Sequence, residues 1–440
     1  MATNRDALDT DPRVERRTVR RIALASLIGT TIEWYDFYVY STAASLVFGG
    51  VFFPTYGHGT GTLLAFGTYA AGSVARPLGA IVFGHVGDRV GRKAVLIVTL
   101  TMMGVCTVLI GLLPGYASIG VAAPVLLTVL RFLQSFGVGG EWGGAVLIAV
   151  EHAPRRHRVF YGSFPQTSSS LALMISTGVF AVLAVLSPGQ MDAWGWRVPF
   201  LLSAPLIVIG FLVRRRVEES PEFTRLKRDE KRARVPLAEV LRGHWRALLL
   251  AVGAVLITIS GFYLASEFMI FYGTDQHLFS RADLLNGVTF TGLVSVVATP
   301  IAGLLGDRYG VRKVVNWGVG AGIVFSFPMF WLTNTGAVAP MWLGMTLVMV
   351  TSSIAYGGVS TLIASWFPAR VRNTGISVAY QLSGVLGGGL APVAATALYQ
   401  ASHPPYLLVA VFLVVMGAIS LASVLLYRGR DHFTPAPAAA

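Results

Sequence analysis

Twelve stretches of this chain are apolar over about the 20 residues that a helix needs to cross a bilayer, and each is bounded by a polar or Pro/Gly-marked break. They lie near 22–47, 61–84, 94–113, 121–150, 159–186, 198–213, 247–272, 284–305, 314–333, 340–366, 374–399 and 406–427. Lipid offers the backbone no hydrogen-bond partner, so each stretch is expected to fold as a helix that satisfies its own N–H and C=O groups. The fold class that follows is an all-α membrane protein with twelve transmembrane helices. Composition agrees: 12% of the residues are charged and the mean hydropathy is +0.65, where a soluble domain carries about 25% charged residues.

The formal net charge of +13 does not call for a nucleic-acid partner. Of the 34 Lys and Arg residues, 30 fall in the N-terminal arm, in the breaks after even-numbered spans and in the C-terminal tail. The odd-numbered breaks hold Arg197 and Arg281, and Arg76 and Arg131 lie inside spans. This asymmetry is the positive-inside pattern, and it predicts cytoplasmic N- and C-termini. The first 21 residues are charged and do not read as a secretory leader, so the first span is the expected membrane-targeting element. The single cysteine, Cys106, has no partner for a disulfide or a thiolate metal site.

Arg214 to Arg246, with 11 basic and 6 acidic residues, divides the spans six and six. The expected organisation is a cytoplasmic arm (1–21), a six-helix bundle (22–213), a cytoplasmic linker (214–246), a second six-helix bundle (247–427) and a tail (428–440). The halves echo one another. GHVGDRVGRK at 84–93 recurs as GLLGDRYGVRK at 303–313, and a basic break ending at Gln166 recurs as one ending at Gln381. The repeated unit is therefore six spans, the parallel pseudo-two-fold repeat of a transporter architecture that handles its solute near the midplane between halves.

GDRVGRK, with its partner GDRYGVRK, resembles the signature loop of the major facilitator superfamily. EWYDF (33–37), ARPLGA (75–80), GGEWGGA (139–145), WGWRVPFLLSA (194–204), VEESPEF (217–223) and QLSGVLGGGLAP (381–392) narrow the resemblance to its metabolite:proton symporter family, nearest to shikimate and proline/betaine transporters. The resemblance implies a bacterial inner-membrane protein, functional as a monomer, that moves a small-molecule solute with protons. It also implies that the first and fourth spans border a central cavity.

The charged residues inside the spans are the candidates for chemistry. Glu33 and Asp36 lie about 18 and 22 Å along the helix from Arg21, and a three-residue separation leaves them about 60° apart on one face. An ionised carboxylate at the bilayer centre costs at least about 2.5 kcal/mol, so that face is expected to border a wet cavity. Glu141, about 15 Å from Glu151, reaches a similar level, as does Arg76 on the second span. Two acids near one cation cannot both stay ionised, which makes Glu33, Asp36 and Glu141 candidates for proton coupling, with Arg76 as their charge partner. The alternative is that Arg76 ties one acid into a fixed helix–helix contact.

Arg131, with Gln134 three residues on, is the candidate anchor for an anionic or zwitterionic solute, unless it snorkels toward the headgroups. Tyr38, Tyr263, Gln166 and Gln381 are candidate cavity residues, and each has packing or helix–helix bonding as its alternative. Glu267, about 30 Å from Arg246, is expected near the outer surface, where a carboxylate needs no special role. The resemblance implies that the glycine-marked loops form a cytoplasmic gate, with Gly87, Asp88, Arg89, Gly91 and Arg92 in the first half and Asp307 and Arg308 in the second. Their acids can pair with basic neighbours or with the N-terminus of an adjacent helix. The alternative is simple topology, since any cytoplasmic turn gathers basic residues.

No phosphate-binding loop, metal-ligand cluster or catalytic triad is visible, so the expectation is a non-enzyme without cofactor, driven by the proton gradient. The function read from the sequence is proton-coupled uptake of a small polar metabolite by alternating access. A proton-driven exporter, an uncoupled facilitator and a transporter-like sensor are the alternatives.

Overall fold

A computed structural model describes residues 12–90, 92–139, 142–151, 153–183, 185, 187–208, 236–368, 371–429 and 431–433. Among them there are helices and turns and no strand. The first half comprises α1 (Pro12–Ala43, carried on through a π-helical turn at Ala44–Phe48), α2 (His58–Val90), α3 (Arg92–Leu112), α4 (Ala122–Val138, resuming as Trp142–Glu151), α5 (Arg158–Leu183) and α6 (Pro188–Gln190 through Arg197–Leu201, on to 208). A short helix, Pro236–Gly243, leads into the second half: α7 (Trp245–Asp275), α8 (Arg281–Tyr309), α9 (Val311–Thr333), α10 (Val338–Ala364), α11 (Arg372–Ala401) and α12 (Leu407–Leu426). Seven of these, α5 and α7 to α12, are long and apolar enough to cross a membrane by length and composition. The others are shorter, interrupted or carry more charge, and they complete the twelve-helix plan.

Several helices outrun their apolar stretches. α1 starts at Pro12 rather than near residue 22, because nothing in the charged Arg13–Arg21 stretch breaks a helix. The linker expected at 214–246 is described only from Pro236, where it is already helical. Between α8 and α9 the chain turns on the single residue Gly310, at φ +95°, a conformation that side chains with a Cβ rarely adopt. At its other end α8 opens with a capping box: the Ser280 Oγ accepts from the Asp283 N–H, and the Asp283 carboxylate accepts from the Ser280 N–H.

Burial sorts the helices by position. In α7 and α10, 83% of the apolar window is buried, against 39% in α8 and α12. Trp317, Val324 and Trp331 on α9 and Val415, Ile419 and Leu426 on α12 are exposed, as lipid-facing side chains would be. Within the first half α2 and α4 approach backbone to backbone, because Gly79 lies against the Phe136 carbonyl and Gly139 against that of Arg76. Between the halves the main seams are α5 on α8 and α2 on α11.

Candidate solute cavity

Between the halves lies a cavity walled mostly by aromatic rings. α1, α2 and α5 contribute Trp34, Phe37, Tyr38, Arg76 and Ser169; α7, α10 and α11 contribute Thr258, Phe262, Tyr263, Tyr356 and Tyr380. Trp34, Phe37 and Tyr38 share one face of α1 because they are spaced i, i+3, i+4. The Arg76 guanidinium carbon sits 3.8 Å from the Phe37 ring centroid and 5.5 Å from that of Trp34. A desolvated cation over such rings gains up to about 2 kcal/mol. Its Nε is buried with no hydrogen-bond partner among the described residues. The hydroxyls of the wall are paired, Tyr38 with Ser169 at 2.5 Å and Tyr356 with Tyr380 at 2.6 Å. The cavity thus offers one guanidinium fork, paired hydroxyls and flat apolar walls, a set suited to a small solute bearing a carboxylate.

Tyr38, Tyr263 and Arg76 are therefore brought together, Arg76 in the cavity wall itself. Four of the residues expected at the cavity lie elsewhere. Arg131 is fully buried inside the first half, boxed by the rings of Phe37, Tyr40 and Tyr69 at 4.2, 4.3 and 4.7 Å, and it donates to the Gln134 side-chain oxygen at 2.6 Å. Gln134 in turn donates to Thr107 on α3 at 2.6 Å. This chain of contacts lies within the half-bundle, off the cavity lining, and Arg131, fully buried, does not snorkel. Asp36 points the same way: it accepts from Ser203 on α6 at 2.6 Å, away from the cavity face of α1. Asp36 precedes the cavity residue Phe37 by one position, a rotation of about 100° that turns it off that face. Gln381 donates to the Gly139 carbonyl at 3.0 Å, a tie between the halves rather than a cavity contact.

Gln166 is fully buried on α5, one turn from Ser169, with neither side-chain atom bonded among the described residues. Glu33 is partly buried, one turn along α1 from Phe37. Glu141 and Gly91 lie outside the described residues, and for Gly87, Asp88, Arg89 and Arg92 only the helical backbone is described. Arg308 is exposed, with its guanidinium 5.2 Å from the Tyr309 ring.

Contacts between the halves flank the cavity toward both ends. At the end where the basic breaks lie, Trp142 of α4 stacks on Tyr380 of α11, centroids 3.6 Å apart and planes 7° from parallel. There too the Asp307 carboxylate, near the end of α8, accepts from the backbone N–H groups of Val159 and Phe160 at 2.9 and 3.0 Å, capping α5 from the opposite half. Toward the far end Thr289 of α8 donates to Thr177 of α5 at 3.0 Å. Also toward that end, Ser41 of α1 donates to the Glu267 carboxylate of α7 at 2.9 Å.

For Glu267 the depth toward the far end agrees with the sequence reading, but the expected exposure does not. The side chain is fully buried where α1 meets α7, not at the surface. Its sequence signal was present, an acid in an apolar span, but depth along one helix says nothing about what packs beside it.

Residues 26–380 and 287–440 match the family model described as Major Facilitator Superfamily. The chain is 39% identical to the inner membrane metabolite transport protein YhjE of Escherichia coli over 94% of each sequence. It is 37% identical to the shikimate transporter of Escherichia coli, covering 93% of this chain and 94% of that one. To the proline/betaine transporter of Salmonella typhimurium it is 31% identical, covering 92% and 82%. Among solved structures, the proton:xylose symporter XylE superposes with a TM-score of 0.70 at 15% identity, over 93% of this chain and 95% of that one. Sequence relatives and fold agree: the chain is a multi-pass membrane transporter that belongs to the Major Facilitator Superfamily.

Proposed function

We propose that the protein takes up a small carboxylate-bearing metabolite together with protons, by alternating exposure of the central cavity. The observation that carries this reading is the guanidinium of Arg76, buried against Phe37 and Trp34 in an aromatic-walled cavity between the halves. A buried cation with donors turned to a cavity binds a carboxylate through charge-assisted hydrogen bonds, often as a bidentate pair. The rings then take the apolar or cationic remainder of the solute. The solutes named for the relatives, shikimate, proline and betaine, all carry a carboxylate, and a proton:xylose symporter shares the fold.

Coupling is assigned to Glu33 and Glu141. Glu33 is one turn from Phe37, about 6 Å along α1, and Phe37 in turn touches Arg76. Proton uptake by one acid changes the charge beside Arg76, which links the proton to the solute carboxylate. The cytoplasmic end is taken as the end of the basic breaks, with Asp307 and the Trp142–Tyr380 stack as its latch.

The test is purified protein in proteoliposomes with an imposed pH gradient, using shikimate, proline and glycine betaine as solutes and their neutral amides as controls. Uptake driven by an acidic exterior, lost in Arg76→Gln and absent for the amides, is the expected result. Accumulation with an acidic interior identifies an exporter, gradient-independent flux a facilitator, and no flux a sensor. Equal binding of acids and amides overturns the Arg76 assignment.

A further inference from the structure

Resting on that reading, we propose that Glu267 is a protonation gate for the far end, which closes only over the neutral acid. The argument is a count of protons. Glu267 Oε1 meets the Ser41 hydroxyl at 2.9 Å, and Oε2 meets the hydroxyl of its neighbour Ser266. Each of these hydroxyls also faces a carbonyl: Ser266 that of Phe262 at 2.8 Å, Ser41 that of Tyr38 at 3.3 Å. Four acceptor contacts are thus served by two hydroxyl protons. A proton on Oε2, donated to Ser266 Oγ, frees the Ser266 proton for the Phe262 carbonyl and satisfies three of the four contacts.

An ionised Glu267 has no such solution. The residue is fully buried, and among the described residues no Lys, Arg or His bonds it. The ionisable groups facing it are phenols: Tyr38 of α1, Tyr69 of α2 and Tyr263 of its own helix. α11 brings Tyr399, which meets Phe268 and donates to Asp275, and α10 brings Tyr356 on the cavity side. A buried carboxylate with two hydroxyl donors, its own backbone N–H and no cation costs several kcal/mol, whereas water reaches it once α1 and α7 part. Glu267 therefore takes a proton from the exterior, forms the Oε2–H bond, and lets Ser41 and α1 close onto it. The proton returns to the same side when the contact reopens. It sets when the far end shuts and is separate from the protons that drive accumulation.

The test compares parent and Glu267→Gln for initial uptake as a function of external pH, with the internal pH fixed. Glutamine keeps the shape and supplies the donor of the neutral acid. Expected are a weaker inhibition by alkaline exterior, with the part imposed by coupling remaining, and an unchanged accumulation ratio; the same external pH profile as the parent overturns the gate. A fall in the accumulation ratio also overturns it, and moves Glu267 into the coupling set. Should Glu267→Gln not transport, alkylation of Ser45→Cys in a Cys106→Ser background reads the far end directly. Thiolate chemistry raises labelling with pH in both proteins, so a steeper rise with external pH in the parent than in Glu267→Gln supports the gate; the same pH response in both overturns it. Failure of the coupling reading alone leaves this labelling difference intact.

Discussion

The seam between α2 and α4 sets where Arg76 sits, and Gly79→Ala tests it. A Cβ built on Gly79 lies 1.8 Å from the Phe136 carbonyl oxygen. Ordinary contact needs at least 3.4 Å, so the two helices must separate locally by about 1.6 Å, and the obstacle is backbone that no rotamer change can move. Overpacking costs about 1–3 kcal/mol where side chains can adjust, so the upper end of that range is expected here. Gly67, on the same helix, has nothing within 4 Å of its Cβ position. Gly67→Ala is therefore neutral or mildly stabilising, since alanine gains up to about 1 kcal/mol over glycine in a helix. Thermal unfolding in detergent, followed by tryptophan fluorescence, should show Gly79→Ala melting several degrees below Gly67→Ala. Because Gly139 abuts the Arg76 carbonyl in the same seam, Gly79→Ala should also weaken binding of the carboxylate solutes. Equal melting temperatures for the two variants refute the seam argument.

Trp142→Ala removes a stacked pair worth about 0.5–1.5 kcal/mol beyond its buried area, which shifts the population toward a state open at the basic end by up to about tenfold. Thiol labelling of Ser377→Cys, a position packed against Gly143, should accelerate, and an unchanged rate counts against the latch. Asp36→Asn retains an acceptor for Ser203 and should leave proton-driven uptake near the parent level, whereas Asp36→Ala loses the bond at about 1–3 kcal/mol of stability. Abolished coupling in Asp36→Asn would return that residue to the proton pathway. Gly310→Ala forces a Cβ onto a backbone at φ +95° and ψ 129°, a sparsely populated conformation that costs about 1–3 kcal/mol, and should lower the melting temperature without changing solute affinity.

The sequence made the helix plan legible because apolar length and basic-residue placement are properties of one segment at a time. The six-span repeat was legible for the same reason. Depth along a span was also legible, which is how Arg76 was singled out. Rotation about the helix axis was not. Arg131 and Gln134 share a face, but nothing local says that it turns toward α1, α2 and α3 rather than the cavity. Tyr356 and Tyr380 carry no signal that separates a cavity wall from ordinary packing. The burial of Glu267 was not legible because it comes from the opposite half, through Ser41, more than 200 residues away in sequence.

The π-helical turns bear on how such a molecule moves. α1 and α7 occupy equivalent places in the two halves, and each carries one in its final third, at Ala44–Phe48 and Leu264–Phe268; α11 has another at Gly384–Gly389. Such a turn holds one residue more than the helix around it. If it migrates by a single position, the side chain it passes swings by about 100°, while the rest of the rod keeps its ladder. Glu267 lies inside one of these dislocations, so its carboxyl can be re-aimed by a register slip, with no need to unwind the helix that bears it.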